Sequence, residues 1–401
     1  MNKIICEFKI NELGIQGVEM KSFPHVNYDT CSANLACSIL NYYGIKAPHK
    51  TLPLADKLLQ SDEYDNVILL LLDGLGISVM KNNLSAEGFL FSHLKGNYNS
   101  VFLPTTVAAT TSIMSGLYPS ETGWLAWDMW FPEIQKNVTT FLNTVTGTET
   151  PAADYYVAMK HRPYQNVVKI VGEKGRDFVN GQKIETHLVA PFAEPKTKKL
   201  SEQMDYVFNI LKGSDNKKYI YWYNPDPDGT MHNTGVNSAK TKAVIKEYEK
   251  QIEAFTKKLQ LIPENTLLLI TADHSQIDTK HLVVLDYPEI MNCLKQGPSL
   301  EPRALNFFVK PECMDTFPQI FNRYFEKDFM LCTKQEVLDG GLFGPTENEH
   351  PAFRETLGDY IALATGDISL HLDHGESSKL IGFHGGLTKE EMEVPLIAIK
   401  A

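Results

Sequence analysis

Tyr219-Ile220-Tyr221-Trp222-Tyr223, a loop carrying Pro225 and Pro227, a stretch running from Ser238, and Thr266-Leu267-Leu268-Leu269-Ile270-Thr271 follow one another in the middle of the chain. The first and last are short apolar runs of strand length. Between them Ile245, Tyr248, Ile252, Phe255 and Leu259 recur at steps of 3, 4, 3 and 4, the spacing of one helical face, and Pro263 closes it. Strand, helix, strand with these lengths implies a parallel crossover, which is right-handed and leaves a helix on the sheet. Val67-Ile68-Leu69-Leu70-Leu71-Leu72 is another continuous apolar run, as expected of a strand buried on both faces. Val101-Phe102-Leu103 and Val394–Ile399 read as two more strands, and Ala33–Tyr43 as a short helix. The expectation is an α/β fold with a mostly parallel central sheet flanked by helices. Residues 1–279 and 371–401 form the core, with 1–60 as an N-terminal extension. The less regular 280–370, with turns at Gly297-Pro298 and Gly340-Gly341, reads as a smaller inserted cap.

The 401 residues are 43% hydrophobic and 22% charged, the balance of a globular protein with a substantial core. Lys plus Arg number 38 against 49 Asp plus Glu, a net charge of −11, which disfavours a nucleic acid polymer or an anionic membrane as partner. Glu7 and Lys9 interrupt the apolar run that a secretory leader would need, and Val67–Leu72 is too short to span a bilayer. The six cysteines show no Cys-x-x-Cys pair, so reduced thiols in a cytoplasmic protein are expected.

In parallel sheets ligands bind beyond the carboxyl ends of the strands. Asp73 follows the first apolar run, Thr105 and Thr106 follow Val101–Leu103, Asp228 and His232 follow Tyr219–Tyr223, and Asp273-His274 follows Thr266–Thr271. His384, between Phe383 and Gly385, sits at the entry of the last strand. Singly, each has an ordinary reading: Asp73-Gly74 is a turn dipeptide, His384 a loop residue, either threonine a helix cap. Together, three Asp, three His and one hydroxyl make seven donors, which divide into two metal sites. Carboxylate and imidazole without thiolate suit zinc, with manganese as the alternative. Two such cations about 4 Å apart clamp the attacking and leaving oxygens of a displacement at phosphorus. Pro104-Thr105-Thr106 leads into a helix of small residues that Gly116 would end, placing a threonine oxygen at a helix N-terminus.

From Asn66 to the end, these residues resemble the alkaline phosphatase superfamily and, within it, the type I phosphodiesterase/nucleotide pyrophosphatase branch. The resemblance rests on Leu72-Asp73-Gly74, on Pro104-Thr105-Thr106 with Gly116-Leu117-Tyr118-Pro119, on Pro227-Asp228 with His232, on Asp273-His274 and on His384-Gly385. It implies that Thr106 is the nucleophile. One metal ion would be held by Asp228, His232 and His384, the other by Asp73, Asp273, His274 and the Thr106 oxygen. It implies hydrolysis of diester or pyrophosphate bonds in a small phosphorylated metabolite or nucleotide-type substrate, through a phosphothreonine. A phosphomonoesterase or phosphomutase, a phosphonate hydrolase and a catalytically silent metal-binding homologue are the alternatives. The branch would carry an Asn against the phosphoryl group where this chain has Ala109. Arg303 and His350, in the cap, read as surface residues.

Overall fold

The computed structural model describes residues 26–177, 181–375 and 377–401. Cys6 and the segment around Glu7 and Lys9 lie outside them. The central sheet has seven strands in the order Leu94–Asn99, Glu393–Lys400, Thr266–Thr271, Asn66–Leu72, Lys218–Asn224, Glu185–Ala190 and Glu194–Pro195. Every residue of Asn66–Leu72 is buried, as its unbroken apolar run requires. This strand is parallel to both neighbours, with Leu72 opposite Asn224 and Leu71 opposite Thr271. That register brings the ends of three strands level, so whatever follows them meets on one side of the sheet. The last strand is antiparallel to Thr266–Thr271 and to Leu94–Asn99.

The helix Ala239–Leu259 starts at Ser238, whose side chain accepts from the Thr241 N–H. It buries Ile245, Ile252, Phe255 and Leu259 against the sheet, while Tyr248 is half-buried and donates its hydroxyl to Asn224 Oδ1 at 2.9 Å. In the N-terminal region the helix Ser32–Tyr42 lies against the helix Thr106–Ser115, with Cys37 Sγ 3.5 Å from the Gly116 carbonyl. Val101–Leu103 is not a strand. Pairing with the last strand runs through Leu94–Asn99 and stops at Asn99 opposite Glu393. Ser100 then turns the chain inward, its N–H bonded to the Met392 carbonyl and its hydroxyl to the Asp273 carbonyl. The three apolar residues are buried in a second cluster instead of a sheet.

A second, antiparallel sheet of seven strands takes four from 299–364 and three from 128–145. The two groups meet at Leu300 opposite Asp128. The helix Phe317–Phe325 covers one face, placing Phe317, Phe321 and Phe325 at every fourth position into an apolar cluster with Phe307 and Phe329.

Arg303 is not on the surface. It is fully buried, and its guanidinium forms a two-pronged pair with Glu391 (2.6 and 2.7 Å), while Nη1 donates to the carbonyls of Gly366 and Ile368. The pair ties the second sheet to the helix Lys389–Met392, which leads into the last strand of the central sheet. Burying two charges is tolerable only because each satisfies the other. His350 is half-buried, held by its backbone to Ser120 and by Nδ1 to the Ala352 N–H. Replacing Arg303 by Met should cost about 3–5 kcal/mol, because Glu391 is left charged and unpaired inside. The loss would appear as a lower urea midpoint; an unchanged midpoint would show that the pair does not hold the sheets together.

Candidate metal and phosphoryl-transfer site

Each of the seven sequence-chosen side chains is delivered by a distinct local device. Asp73 leaves the end of Asn66–Leu72, and its N–H bonds to the Asn224 carbonyl of the neighbouring strand. Gly74 has φ +73°, and a Cβ there would lie 2.9 Å from Met231 Cε and 3.1 Å from Asp228 Cβ. Only glycine lets the two loops close in this way. Asp228 opens the helix Asp228–Thr234, so His232, one turn on, shares its face; Nε2 of His232 is 3.4 Å from Asp228 Oδ2. Asp273 and His274 follow Thr266–Thr271 and are fully buried. Thr106 is the first residue of the helix Thr106–Ser115, beyond the extended Thr105. His384 follows the two-residue strand Gly382–Phe383, paired with Ile277–Asp278, and is separated from the last strand by a helix.

All seven converge. Thr106 Oγ1 is 3.2 Å from His274 Nε2, and the same nitrogen is 3.4 Å from Asp73 Oδ1 and 3.6 Å from Asp273 Oδ2. His384 Nε2 is 3.7 Å from Asp228 Oδ1, and the His274 and His384 rings stack at 3.8 Å. Asp228, His232 and His384 form one compact group of donor atoms, and Asp73, Asp228 and His274 another. Asp228 therefore reaches both groups, whereas the sequence assigned it to one.

The imidazoles are oriented from behind. Nδ1 of His232 faces the Gly382 carbonyl at 2.7 Å, Nδ1 of His274 the Ser275 carbonyl at 3.1 Å, and Nδ1 of His384 the Pro104 carbonyl at 3.2 Å. A carbonyl only accepts, so in each ring Nδ1 carries the proton and Nε2 presents a lone pair to the cluster. Those lone pairs confront carboxylate oxygens, which also only accept. Asp73 Oδ1 and Asp273 Oδ2 are buried with no hydrogen-bond donor among the described residues. Burial, and then the neighbouring carboxylates Asp273 and Asp228, push the Asp73 carboxyl well above its usual range, and burial also raises Asp273. Burial foremost, with the two other imidazoles behind it, holds His384 well below its usual value, keeping it neutral. The arrangement repels itself unless cations occupy it. Ligand atoms about 2.0–2.1 Å from a tetrahedral ion lie roughly 3.3 Å apart, the spacing seen here. The residues fit divalent metal, and the mixture of oxygen and nitrogen without sulfur fits zinc or manganese.

Three contributors carry weaker signals in the sequence. Tyr223 donates its hydroxyl to Asp73 Oδ2, and Gln276 donates to Asp228 Oδ1, so each fixes a ligand oxygen. Gln276 could have been noticed as a polar residue two places after the Asp-His pair. Glu301 is buried beside the start of the helix Thr106–Ser115, its Oε1 accepting from Thr105 Oγ1 at 2.7 Å and from the Trp127 N–H at 2.8 Å. It belongs to the second sheet, and nothing in its sequence neighbourhood marks it. Ala109, the place where an Asn would have met the phosphoryl group, is wholly buried in an apolar cluster. A cavity of about 270 Å³ opens over Thr106, Asp228, His232 and His384, with Trp127, Asp128 and Glu301 in its wall.

Burial raises the Glu301 carboxyl from its ordinary 4.5 to about 8. The folded state thus holds that proton more tightly than the unfolded chain, and stability is lost as pH rises from about 4.5 to 8. Glu301→Gln keeps the acceptor for Thr105 and Trp127 but cannot ionise. It should match the parent near the bottom of that window and exceed it by a few kcal/mol, on the order of ~3, at its top. Melting temperatures of both proteins across the window would check this; parallel curves would refute it.

The sequence profile of the family described as type I phosphodiesterase/nucleotide pyrophosphatase matches residues 67–304, more than half of the chain. No curated protein sequence matches significantly. Among solved structures, murine ectonucleotide pyrophosphatase/phosphodiesterase 5 is similar at 15% identity and TM-score 0.60, covering 83% of this chain and 87% of that one. An inactive variant of the murine protein, solved in complex with AMP, matches at 14% identity and TM-score 0.60 over 84% of this chain and 88% of that one. The human counterpart matches at 14% identity and TM-score 0.58 over 83% and 87%. These likenesses show a shared α/β fold with a central sheet flanked by helices. With the matched segment running from the strand before Asp73 through Glu301, the chain belongs to the type I phosphodiesterase/nucleotide pyrophosphatase family and is a hydrolase of phosphoric ester bonds.

Proposed function

We propose that the protein cleaves diester or pyrophosphate bonds of a small nucleotide-type substrate by way of a phosphothreonine on Thr106, at a site for two divalent ions, zinc by its donor set. The observation carrying this reading is Thr106 Oγ1, placed 3.2 Å from His274 Nε2 in a ring of acceptor-only atoms that demands positive charge. In the proposed ligand set, Asp228, His232 and His384 hold one ion, and Asp73, Asp273, His274 and the Thr106 oxygen the other, with Asp228 close to both groups. Bound there, such ions neutralise the carboxylates, lower the pKa of a hydroxyl and attract phosphoryl oxygens.

The chain's own groups supply the rest. Thr106 Oγ1 attacks phosphorus as its proton passes to solvent; the new P–O bond forms while the bond to the departing alcohol or phosphate breaks and that group leaves with the electron pair, taking up a proton from solvent. Water then cleaves the phosphothreonine and restores the hydroxyl. The first N–H groups of the helix Thr106–Ser115 have no intrahelical acceptor and point their dipoles at the attack site, a ready cradle for a phosphoryl oxygen. This supplies what an Asn at position 109 would have given. A cavity of about 480 Å³ adjoins Thr106 and Asp73 and is lined by Trp127, Phe141 and Tyr223 together with Lys198 and Lys240. Rings for a flat base and ammonium groups for phosphate suit a nucleotide, in keeping with the AMP held by the inactive murine variant.

Thr106→Ala should lower turnover of bis(p-nitrophenyl) phosphate by about 10⁴-fold or more while metal content, read by elemental analysis, stays near two ions per chain. Retained turnover would remove Thr106 as nucleophile. The parent should prefer that diester over p-nitrophenyl phosphate; the reverse preference would favour the monoesterase alternative.

Chelation should destabilise the protein most at high pH. Asp73 and Asp273 have raised values in the metal-free fold, so each adds stability while protonated and loses it as pH climbs through its folded value. Metal removes that loss. The gap in melting temperature between metal-loaded and chelated protein should therefore widen from acidic to alkaline pH, and a gap independent of pH would argue against cations at these aspartates.

A further inference from the structure

A second large cavity, of about 640 Å³, shares Trp127 with the one that holds Lys198 and Lys240. It joins the space over Thr106, since Trp127, Asp128, Glu301 and Pro302 line both. Its charged lining is entirely acidic: Asp128, Glu149, Glu301 and Asp373, with no Lys, Arg or His among the described residues that form it. Threonine hydroxyls and leucines fill the remainder. Two of the carboxyls are built into the walls. Glu301 is only 6% exposed; its Oε1 is committed to Thr105 and Trp127, and Oε2 meets no donor among the described residues. Asp128 Oδ1 accepts from the hydroxyls of Thr139 (2.5 Å) and Thr146 (2.9 Å), and its other oxygen meets no donor among the described residues. These carboxyls form no group compact enough to hold a metal ion among the described residues. They are spread as an organic cation would need them.

We propose that this cavity binds a primary ammonium group carried on one ester arm of the substrate, so that the enzyme selects amino-alcohol phosphodiesters or pyrophosphates. The cleavage step is that of the proposed hydrolase reading, on which this depends; the subsite is read from the cavity itself. An ammonium brings three N–H donors to the carboxyl oxygens left without a partner, and its positive charge favours their ionised, accepting form. A phosphate or carboxylate arm would be repelled, and a plain alkyl arm would leave the carboxyls without partners. The two cavities that share Trp127 then sort the two ends of one substrate by charge: the anionic end toward Lys198 and Lys240, the cationic end toward Asp128 and Glu301.

The test compares kcat/KM of the metal-reconstituted protein on 2-aminoethyl p-nitrophenyl phosphate and on its near-isostere n-propyl p-nitrophenyl phosphate. The ammonium ester should be favoured by at least ~10-fold, since a site built to pair a donor rejects the analogue lacking it. The ratio should fall toward unity in Asp128→Asn. Because Asp128 also supports the second sheet, the exposed rim change Glu149→Gln serves as the second variant and should lower the ratio by about 2-fold at low salt. Equal use of the propyl ester, or a preference that neither variant alters, would overturn the proposal. Bis(p-nitrophenyl) phosphate, run in parallel, reports on the hydrolase reading alone. Should it not turn over, calorimetric titration with 2-aminoethyl propyl phosphate against dipropyl phosphate decides the subsite: selective binding lost in Asp128→Asn upholds it, and equal binding removes it.

Discussion

A set of buried atoms that can only accept hydrogen bonds, turned toward one another, is the constraint around which this molecule is organised. Carboxylate oxygens of Asp73, Asp228 and Asp273 meet the Nε2 lone pairs of His232, His274 and His384 at 3.4–3.7 Å. Left alone, such a cluster would be forced apart or protonated. It persists because each member is clamped from outside: the imidazoles by backbone carbonyls, Asp73 by the Tyr223 hydroxyl, Asp228 by the Gln276 amide, and Asp273 Oδ1 by the N–H groups of Gly74 and His274. The scaffold holds the ligands in place and the repulsion makes the centre attractive to cations.

The sheet supplies that rigidity. Parallel strands buried on both faces cannot slip in register without moving their whole apolar content. Asp73, Asp228 and Asp273 inherit their mutual positions from Leu72 opposite Asn224 and Leu71 opposite Thr271. Thr106 and His384 come from outside these strands, and the second sheet fixes them. Glu301 reaches the start of the helix Thr106–Ser115 through Thr105. Gly385, with φ +98°, packs so closely on Glu301 that a Cβ would come 3.0 Å from its Cβ. The buried Arg303–Glu391 pair then joins that sheet to the segment entering the last central strand. The second sheet thus helps to build the candidate site.

What could be read in the sequence follows from this division. Asn66–Leu72, Lys218–Asn224 and Thr266–Thr271 announce themselves because burial on both faces demands continuous apolar runs, and polar residues just past their ends stand out. The helix Ala239–Leu259 shows its period because only one face is buried. The second sheet shows neither signal. Its strands are two to five residues long and come from 128–145 and 299–364, so no local pattern reveals that Asp128 lies opposite Leu300. Arg303 reads as a surface charge because its partner Glu391 is 88 residues away. Val101–Leu103 has strand composition, but its burial comes from packing in an apolar cluster, which composition does not distinguish from a ladder.

The division also separates chemistry from selection. The three aspartates and His274 beside Thr106 are set by the central sheet and the loops leaving it, whose geometry is tightly determined. The walls of the 640 Å³ cavity come largely from short strands and turns of the second sheet, where substitutions such as Thr to Leu would alter the lining without disturbing the register that aligns the aspartates. Trp127 stands between the two regimes. Its N–H is fixed by Glu301 beside the nucleophile helix, while its ring, packed edge-on to Phe141 at 6.1 Å, is partly exposed to all three cavities. In the proposed reading, a residue anchored beside Thr105 and lining all three cavities links the pockets for the two substrate arms to the groups that would cleave the ester. Changes at its neighbours are therefore the route by which this architecture can exchange one substrate for another while keeping the same phosphoryl chemistry.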